Sequence, residues 1–122
     1  RIAKVSNRNR SRRVISQPFA ASVTDAPQTV VSSDVEVMTI NAGINTADAP
    51  VYVKLYEGTG HALGDAAAHT IGVPSGSGFV AQLEAAFFAN GLQVAVTGGA
   101  GPSDSTATSE SLDVNITYRL NS

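Results

Sequence analysis

The sequence has 122 residues with ten acidic and eight basic side chains, a size that allows one small domain. It contains no cysteine, which excludes disulfide bonds, thiolate metal sites and cysteine nucleophiles. Its apolar stretches, such as Ala85–Ala89, are far shorter than the roughly 20 residues that a membrane-spanning helix needs, so we expect no membrane partner.

The basic residues are concentrated at the N-terminus. Six of the eight lie within the first thirteen positions, whereas all ten acidic residues lie between Asp25 and Asp113. Because only Lys54 and Arg119 are basic in the remainder, a segment of charge +6 precedes a body of charge −8. A run of like charges this dense does not fold alone and gains most from an acidic partner.

Residues 1–28 are predicted to form an extended arm, and residues 29–122 are predicted to form the folded body. The N-terminal region shows no sustained hydrophobic period, and Pro18 and Pro27 favour extended backbone at the residues before them. The sequence begins at Arg1 and not at a methionine, from which we expect that the translated chain starts upstream.

Short runs of β-forming residues, separated by Gly, Pro, Asn, Asp and Ser, predict an all-β body. In the run Val51–Glu57, apolar side chains alternate with Tyr52, Lys54 and Tyr56, as expected for a sheet with one solvent-facing side. The predicted strands are residues 29–31, 35–41, 51–57, 69–73, 78–83, 92–97 and 112–119.

The segment Phe79–Asn90 is the ambiguous part of this pattern. Its larger apolar residues, Val80, Leu83 and the Phe87–Phe88 pair, fit one face of a helix nearly as well as a strand that ends in a turn. We predict a strand followed by a short turn or a helical piece.

No residue pattern predicts a catalytic, cofactor or metal site. The glycine-rich stretches at 58–60 and 98–101 lack the lysine of a phosphate-binding loop and are interpreted as turns. His61 and His69, with Asp65 between them, have neither helical spacing nor a second carboxylate nearby. We therefore interpret both histidines as solvated loop residues.

Polar residues near the C-terminus suggest two weaker sites. Asp104, Glu110 and Asp113, with two neighbouring serines, carry oxygen ligands for a hard cation, but their spacing is not that of an EF-hand loop. The stretch Asn115–Thr117 matches a glycosylation acceptor, yet it lies inside a predicted strand, so we interpret the match as chance.

The body carries more large aromatic surface than its small core needs. Tyr52 and Tyr56 lie on the polar side of a predicted strand, and Phe87 and Phe88 are adjacent. We predict that these four residues contribute to a surface between copies of the chain, in a homo-oligomer for which a trimer is favoured. The tyrosines alternatively offer stacking surfaces for sugars or bases.

The arm has two possible kinds of partner, an acidic protein surface and nucleic acid. It has no aromatic residue before Phe19 to stack on bases, and the acidic body would repel a duplex, so nucleic acid is the second choice. The acidic bodies of neighbouring protein subunits offer a complementary surface, and the apolar residues interleaved with the charges favour protein. The arm residues predicted to bind the partner are Arg1, Lys4, Arg8, Arg10, Arg12, Arg13, Val14, Ile15 and Phe19.

Residues 35–118 carry an ordered set of short motifs. They include Tyr-x-Lys-Leu-Tyr at 52–56, Gly-Leu-Gln-Val-Ala-Val-Thr-Gly at 91–98 and Asp-Val-Asn-Ile-Thr-Tyr at 113–118. In this order they resemble a family of small structural proteins encoded by tailed bacteriophages and prophages, over about 85 of the 122 residues. The resemblance implies an antiparallel, jelly-roll-like β-sandwich that serves as a virion component and has no catalytic residues.

Together these observations predict an all-β protein, an antiparallel and jelly-roll-like β-sandwich with an extended N-terminal arm. The expected function is that of a capsid decoration or cement protein on the virion exterior, whose arm staples neighbouring shell subunits. The expected partners are the major capsid protein or another virion protein, and further copies of the chain. Two alternatives stay open: a tail or fibre module that touches a host glycan or receptor through loops 58–68 and 98–111, and an internal virion protein whose arm binds DNA.

Overall fold

The computed structural model describes residues 16–120, which form eight β-strands and no helix. The strands are β1 (Ser16–Val23), β2 (Gln28–Val31), β3 (Val35–Ala42), β4 (Val51–Glu57), β5 (His69–Val73), β6 (Phe79–Phe88), β7 (Leu92–Thr97) and β8 (Leu112–Leu120). Six of them match predicted strands to within one residue at each end. Strand β1 and the second half of β6 are absent from the prediction.

The strands form two antiparallel sheets of four strands each. The first sheet has the order β1-β8-β3-β6 and the second has the order β2-β7-β4-β5. Successive strands alternate between the sheets, except for β4 and β5, so the paired strands are nested from the outermost pair β1·β8 to the innermost pair β4·β5. This is the strand order of an eight-stranded jelly roll, which confirms the predicted fold class.

The inward-facing side chains of both sheets form one core. In β8, Leu112, Val114 and Ile116 are buried and the residues between them are exposed. Because strand side chains alternate in direction, this pattern directs apolar groups inward and polar groups outward. The buried apolar cluster comprises Val23, Val35, Val37, Ile40, Ala42, Val51, Val53, Leu55, Val73, Phe88, Leu92, Val94, Val96, Leu112, Val114 and Ile116.

Strand β1 corrects the predicted arm, because the folded sheet already begins at residue 16. All eight residues of β1 pair with β8, ending with Val23 opposite Leu112. Val23 is fully buried and Phe19 packs partly against the core, so Phe19 belongs to the sandwich. Pro18 is tolerated because β1 is an edge strand, where no further strand requires the missing N–H.

Strand β6 confirms a strand followed by a turn in Phe79–Asn90 but extends the strand to Phe88, with the turn at residues 89–90. The segment remains a strand through Phe88 and contains no helical turn. Its pairing with β3 shifts register near the middle, where Glu84 and Ala85 have positive φ angles of 52° and 64°. This bulge interrupts the two-residue alternation, which explains why the apolar residues also fitted a helical period.

Candidate functional site

Two loops cover the outer face of the second sheet. Loop 58–68 joins β4 to β5, and loop 98–111 joins β7 to β8. Their backbones meet where the N–H of Ala67 donates to the carbonyl oxygen of Pro102 at 2.9 Å. All six residues of β7 are buried, and Lys54 on β4 is 0% exposed. The prediction of a solvent-facing side on β4 is therefore wrong, because distant loops fold over it.

Lys54 fastens the β7–β8 loop to the sheet. Its Nζ donates to the carbonyl oxygen of Ala100 at 3.2 Å and also to that of Gly101. Burial lowers the pKa of Lys54, while the negative charge of Asp104 raises it. Hydrogen bonds from Thr106 lower the pKa of Asp104. The ammonium group of Lys54 is thus directed at the protein's own loop.

His61 fastens the β4–β5 loop. Its ring stacks on Tyr56, with the ring centroids 5.2 Å apart and the planes inclined by 28°. Its Nδ1 lies 3.1 Å from Oδ2 of Asp65, and its Nε2 lies 2.6 Å from the carbonyl oxygen of Glu57. Its backbone N–H donates to Oε1 of Gln93 at 2.9 Å. His61 is therefore a half-buried structural residue and not the solvated residue that the sequence predicted.

Closure of this loop shifts two neighbouring pKa values. Hydrogen bonds from the N–H of Ala62 and then from His61 lower the pKa of Asp65. Burial, and then the charge of Asp65, raise the pKa of Tyr56. His69 lies apart from this arrangement, exposed at the start of β5. The two histidines therefore lie in different elements, His61 in the β4–β5 loop and His69 in β5, and do not act as a pair.

The buried polar side chains all fix the fold. Asn45 donates at 3.0 Å both to the loop before β4 and to the end of β5, and Oγ1 of Thr97 donates to the loop after β7 at 3.0 Å. Nε2 of Gln93 donates to Oγ1 of Thr29 on β2 at 2.9 Å. With Lys54, these complete the buried polar residues, and among the side chains of residues 19–120 no buried polar atom lacks a hydrogen bond.

The oxygen-rich residues of the C-terminal segment have separate places. Asp104 accepts a hydrogen bond from the N–H of Thr106 at 2.7 Å within its own loop, whereas Asp113 is exposed on β8. Asn115, of the glycosylation match, is exposed within β8, in the strand where the sequence predicted it. Between residues 16 and 120, the structure contains no group of three or more side chains arranged to hold a metal ion.

The four aromatic candidates for a surface between copies have different environments. Tyr56 is 1% exposed beneath His61, and Phe88 is buried in the core. The prediction is wrong for these two residues, because a ring buried within one copy cannot contact another. Phe87 on β6 is 49% exposed and Tyr52 on β4 is half-buried, so both stay candidates.

The outer face of the first sheet is open. Asn41 on β3 pairs with Asn115 on β8 and with Val80 on β6, and Nδ2 of Asn115 donates to Oδ1 of Asn41 at 3.0 Å. Towards the end of β8, Nε of Arg119 donates to Oε1 of Glu36 at 2.9 Å. The described residues therefore leave this sheet face open to a partner, whereas the two loops cover the β4 and β7 part of the second sheet's outer face.

The predicted arm residues Arg1 to Ile15 lie outside the described residues. The basic residues within the described range are both bonded internally, Lys54 to loop carbonyls and Arg119 to Glu36. In the same range, no helix has the length and apolar character to cross a membrane. The other six basic residues of the sequence all lie in the predicted arm, between Arg1 and Arg13.

No protein-family model and no curated protein matches the sequence. Among solved structures, the chain is similar to a protein of the Bacillus endospore appendages, which are described as a novel family of disulfide-linked pili. The alignment covers 87% of this chain and 86% of that chain, with 18% sequence identity and a TM-score of 0.41. A likeness at this level carries no functional conclusion, and the present sequence has no cysteine.

Proposed function

We propose that the chain is a structural subunit of a larger particle, a capsid decoration or cement protein of a tailed bacteriophage. In this function the jelly-roll body occupies the particle surface, and the basic N-terminal segment binds a neighbouring protein subunit. The resemblance of residues 35–118 to small phage structural proteins supports this choice of particle. The fold and the distribution of charge support a structural role.

The separation of charge is the observation that carries the proposal. Residues 16–120 contain ten carboxylates but only Lys54 and Arg119 as basic residues, so this body has a charge of −8. Both of these cations are bonded within the chain. The bodies of neighbouring copies or subunits with a similar acidic surface therefore attract the six basic residues that precede β1.

The internal hydrogen bonds of buried and half-buried polar groups also support a structural role. Lys54, His61 and Asn45 each fix a loop through backbone carbonyls, at distances of 3.2, 2.6 and 3.0 Å for the bonds to Ala100, Glu57 and Val73 respectively. Such contacts bind these loops to the protein's own sheets. A surface that internal hydrogen bonds preorganise suits a subunit that binds the same neighbour in many copies of a particle.

The length of the arm fits attachment to a neighbour. After the correction at β1, at least fifteen residues precede the folded sheet. In extended form they span up to about 50 Å, the diameter of a small neighbouring domain or more. Ile2, Val5, Val14 and Ile15 are interleaved with the charges and supply apolar contacts that phosphate binding does not need.

The test is binding of the purified protein to empty shells, free of DNA, from the phage that encodes it. Replacing Arg8, Arg10, Arg12 and Arg13 together by Ala should weaken binding strongly, and replacing the same four by Lys should weaken it much less. The Lys variant is the matched control, because it retains the charge and the length of the segment. The affinity for shells should depend only modestly on salt, since salt screens the ion pairs of the segment but not its apolar contacts.

Two results would overturn this function. Binding to free duplex DNA but not to empty shells would identify an internal DNA-binding protein. Six charges engaged on phosphates would then give a log-log salt slope of about −5, or roughly a thousandfold loss of affinity between 50 and 200 mM salt. Binding to purified tails but not to shells would move the protein to the tail.

A further inference from the structure

We propose that one corner of the first sheet, the corner patch, binds residues 1–15 of a neighbouring copy of the chain. The corner patch comprises Ile44, Asp48, Val80, Glu84 and Asp113. The proposal rests on the proposed function in one respect, the assembly of several copies on one particle. It names the surface and the segment that would join those copies.

The apolar part of the corner patch consists of two exposed side chains. Val80 is 78% exposed and Ile44 is 67% exposed, the two highest values among the large hydrophobic residues of the described range. Val80 pairs with Asn41 across β6 and β3, and Ile44 follows three residues after Asn41. Both residues therefore lie at the same end of the same sheet edge, where a small apolar surface is open to a partner.

The rest of the corner patch is acidic. Asp113 is exposed on β8 beside Gly43, whose N–H donates to the carbonyl oxygen of Asp113 at 2.8 Å. Asp48 is exposed in the loop after β3, four residues after Ile44. Glu84 is exposed at the middle of β6, roughly 13 Å along the strand from Val80 at about 3.3 Å per residue. Arg119 lies at the other end of β8, roughly 20 Å away at about 3.3 Å per residue.

The N-terminal segment complements this surface. Its first fifteen residues combine six basic side chains with Ile2, Val5, Val14 and Ile15. An apolar contact flanked by opposite charges gives a specific site, because the apolar side chains exclude the water that would otherwise screen the ion pairs. Neither nucleic acid nor a purely basic peptide combines positive charge with apolar side chains.

The topology favours a segment from a neighbouring copy. Residue 16 lies opposite Arg119, at the end of the first sheet away from Asp113, so within one copy the segment must run back along β1 and across three strand spacings, together roughly 27 Å. Strands β1 and β6 are the opposite edges of the sheet, so a copy whose β1 lies beside β6 removes the three strand spacings from this path. The contact joins two different surfaces, so repetition gives a closed ring such as a trimer, or an open row.

Direct pairing of these two edges is less favourable than side-chain docking. Pro18 removes an N–H from β1, and the bulge at Glu84 and Ala85 interrupts the edge of β6. Both features are typical of edges that resist addition of a further strand. The segment before β1 is therefore a better joining element than β1 itself.

The absence of cysteine makes a direct test possible. Val5→Cys and Val80→Cys are prepared as two separate proteins, one with a mass tag, then mixed under mild oxidation. Because each protein has a single thiol, a mixed disulfide reports contact between copies. The control partner is Thr70→Cys, exposed on β5 in the other sheet. Val80 is largely exposed, so this substitution should leave folding intact.

We expect the Val5→Cys/Val80→Cys product to exceed the Val5→Cys/Thr70→Cys product by at least about tenfold, because docking raises the local thiol concentration. The excess should fall when Arg8, Arg10, Arg12 and Arg13 are replaced by Ala. Equal yields of the two products would overturn the corner patch. A double variant that forms the disulfide only within one chain would show that each copy binds its own segment and would overturn the proposal.

The shell-binding measurement separates this proposal from the proposed function. Arginine-dependent binding to empty shells without the specific disulfide would place the segment on a shell protein, so the proposed function would survive and the corner patch would fail. The specific disulfide without shell binding would give the reverse result. The two failures are therefore distinguishable.

Discussion

Phe19→Ala tests whether the sandwich begins at β1 or only after residue 28. Phe19 faces inward from an edge strand and packs partly against the core. If β1 is part of the folded sheet, truncating this ring removes core contact and lowers the free energy of unfolding. If residues 1–28 are a free arm, the substitution leaves that free energy almost unchanged.

The magnitude follows from the partial burial of Phe19. A fully buried Phe→Ala change costs about 3–5 kcal/mol, so a half-buried ring should cost roughly 2 kcal/mol. For a domain near a hundred residues, each 1 kcal/mol lowers Tm by about 4–8 °C, which predicts a Tm lower by roughly 8–16 °C.

Urea and thermal unfolding of the full chain provide the assay, with circular dichroism as the signal. The matched control is Ala20→Ser, at the adjacent exposed position of β1, which should change stability by less than about 0.5 kcal/mol. A Phe19→Ala protein that melts within two or three degrees of the unchanged chain would refute the pairing of β1 with β8. It would restore the arm boundary that the sequence predicted.

Three further substitutions test the loops and the bulge. Gly91→Ala should lower the free energy of unfolding by about 2–4 kcal/mol, because φ is +126° and the added Cβ would lie 2.7 Å from a backbone oxygen. Gly60→Ala should lower it by only about 1–2 kcal/mol, because φ is +79° but the space around the added Cβ is open. Similar urea midpoints for the two variants would contradict this difference. Burial lowers the pKa of Lys54 below 10.5, so the folded state releases this proton at lower pH than the unfolded state does. Stability should therefore rise with pH from the folded pKa towards 10.5, and this rise should be smaller in Lys54→Met; urea titrations with parallel pH profiles would exclude it. Glu84→Gly should be less destabilising than Gln82→Gly by about 1 kcal/mol, because only Glu84 has a positive φ, and equal thermal shifts would argue against a bulge at Glu84.

The interior of the sandwich was predictable because strand alternation is a local property of the sequence. Val51, Val53 and Leu55 alternate with polar neighbours, and the structure buries all three in the core. Strand β1 was not predictable in the same way. Pro18 and Pro27 usually mark loops, and only the position of β1 at a sheet edge makes Pro18 compatible with a strand.

The surroundings of the outward-facing residues were decided by the tertiary structure. In the sequence, Tyr56 and Lys54 belong to the polar side of β4. In the structure, His61 stacks on Tyr56, and the loop at Ala100–Gly101 covers Lys54. No local pattern records that a loop 46 positions away, the separation between Lys54 and Ala100, returns to the same sheet face. The prediction of a solvent-facing side that carries Tyr52 and Tyr56 was wrong for this reason, because Tyr56 is buried and Tyr52 is half-buried.

The charge separation was determined by the sequence alone, because it depends only on the order of residues. The surface that could use it depended on the fold: the pairing of β3 with β6 brings Ile44 and Val80 to one corner, and β8 adds Asp113. These residues are far apart in the chain and share no motif. Hydrogen bonding between strands set their proximity, whereas side-chain alternation set only which way each residue faces.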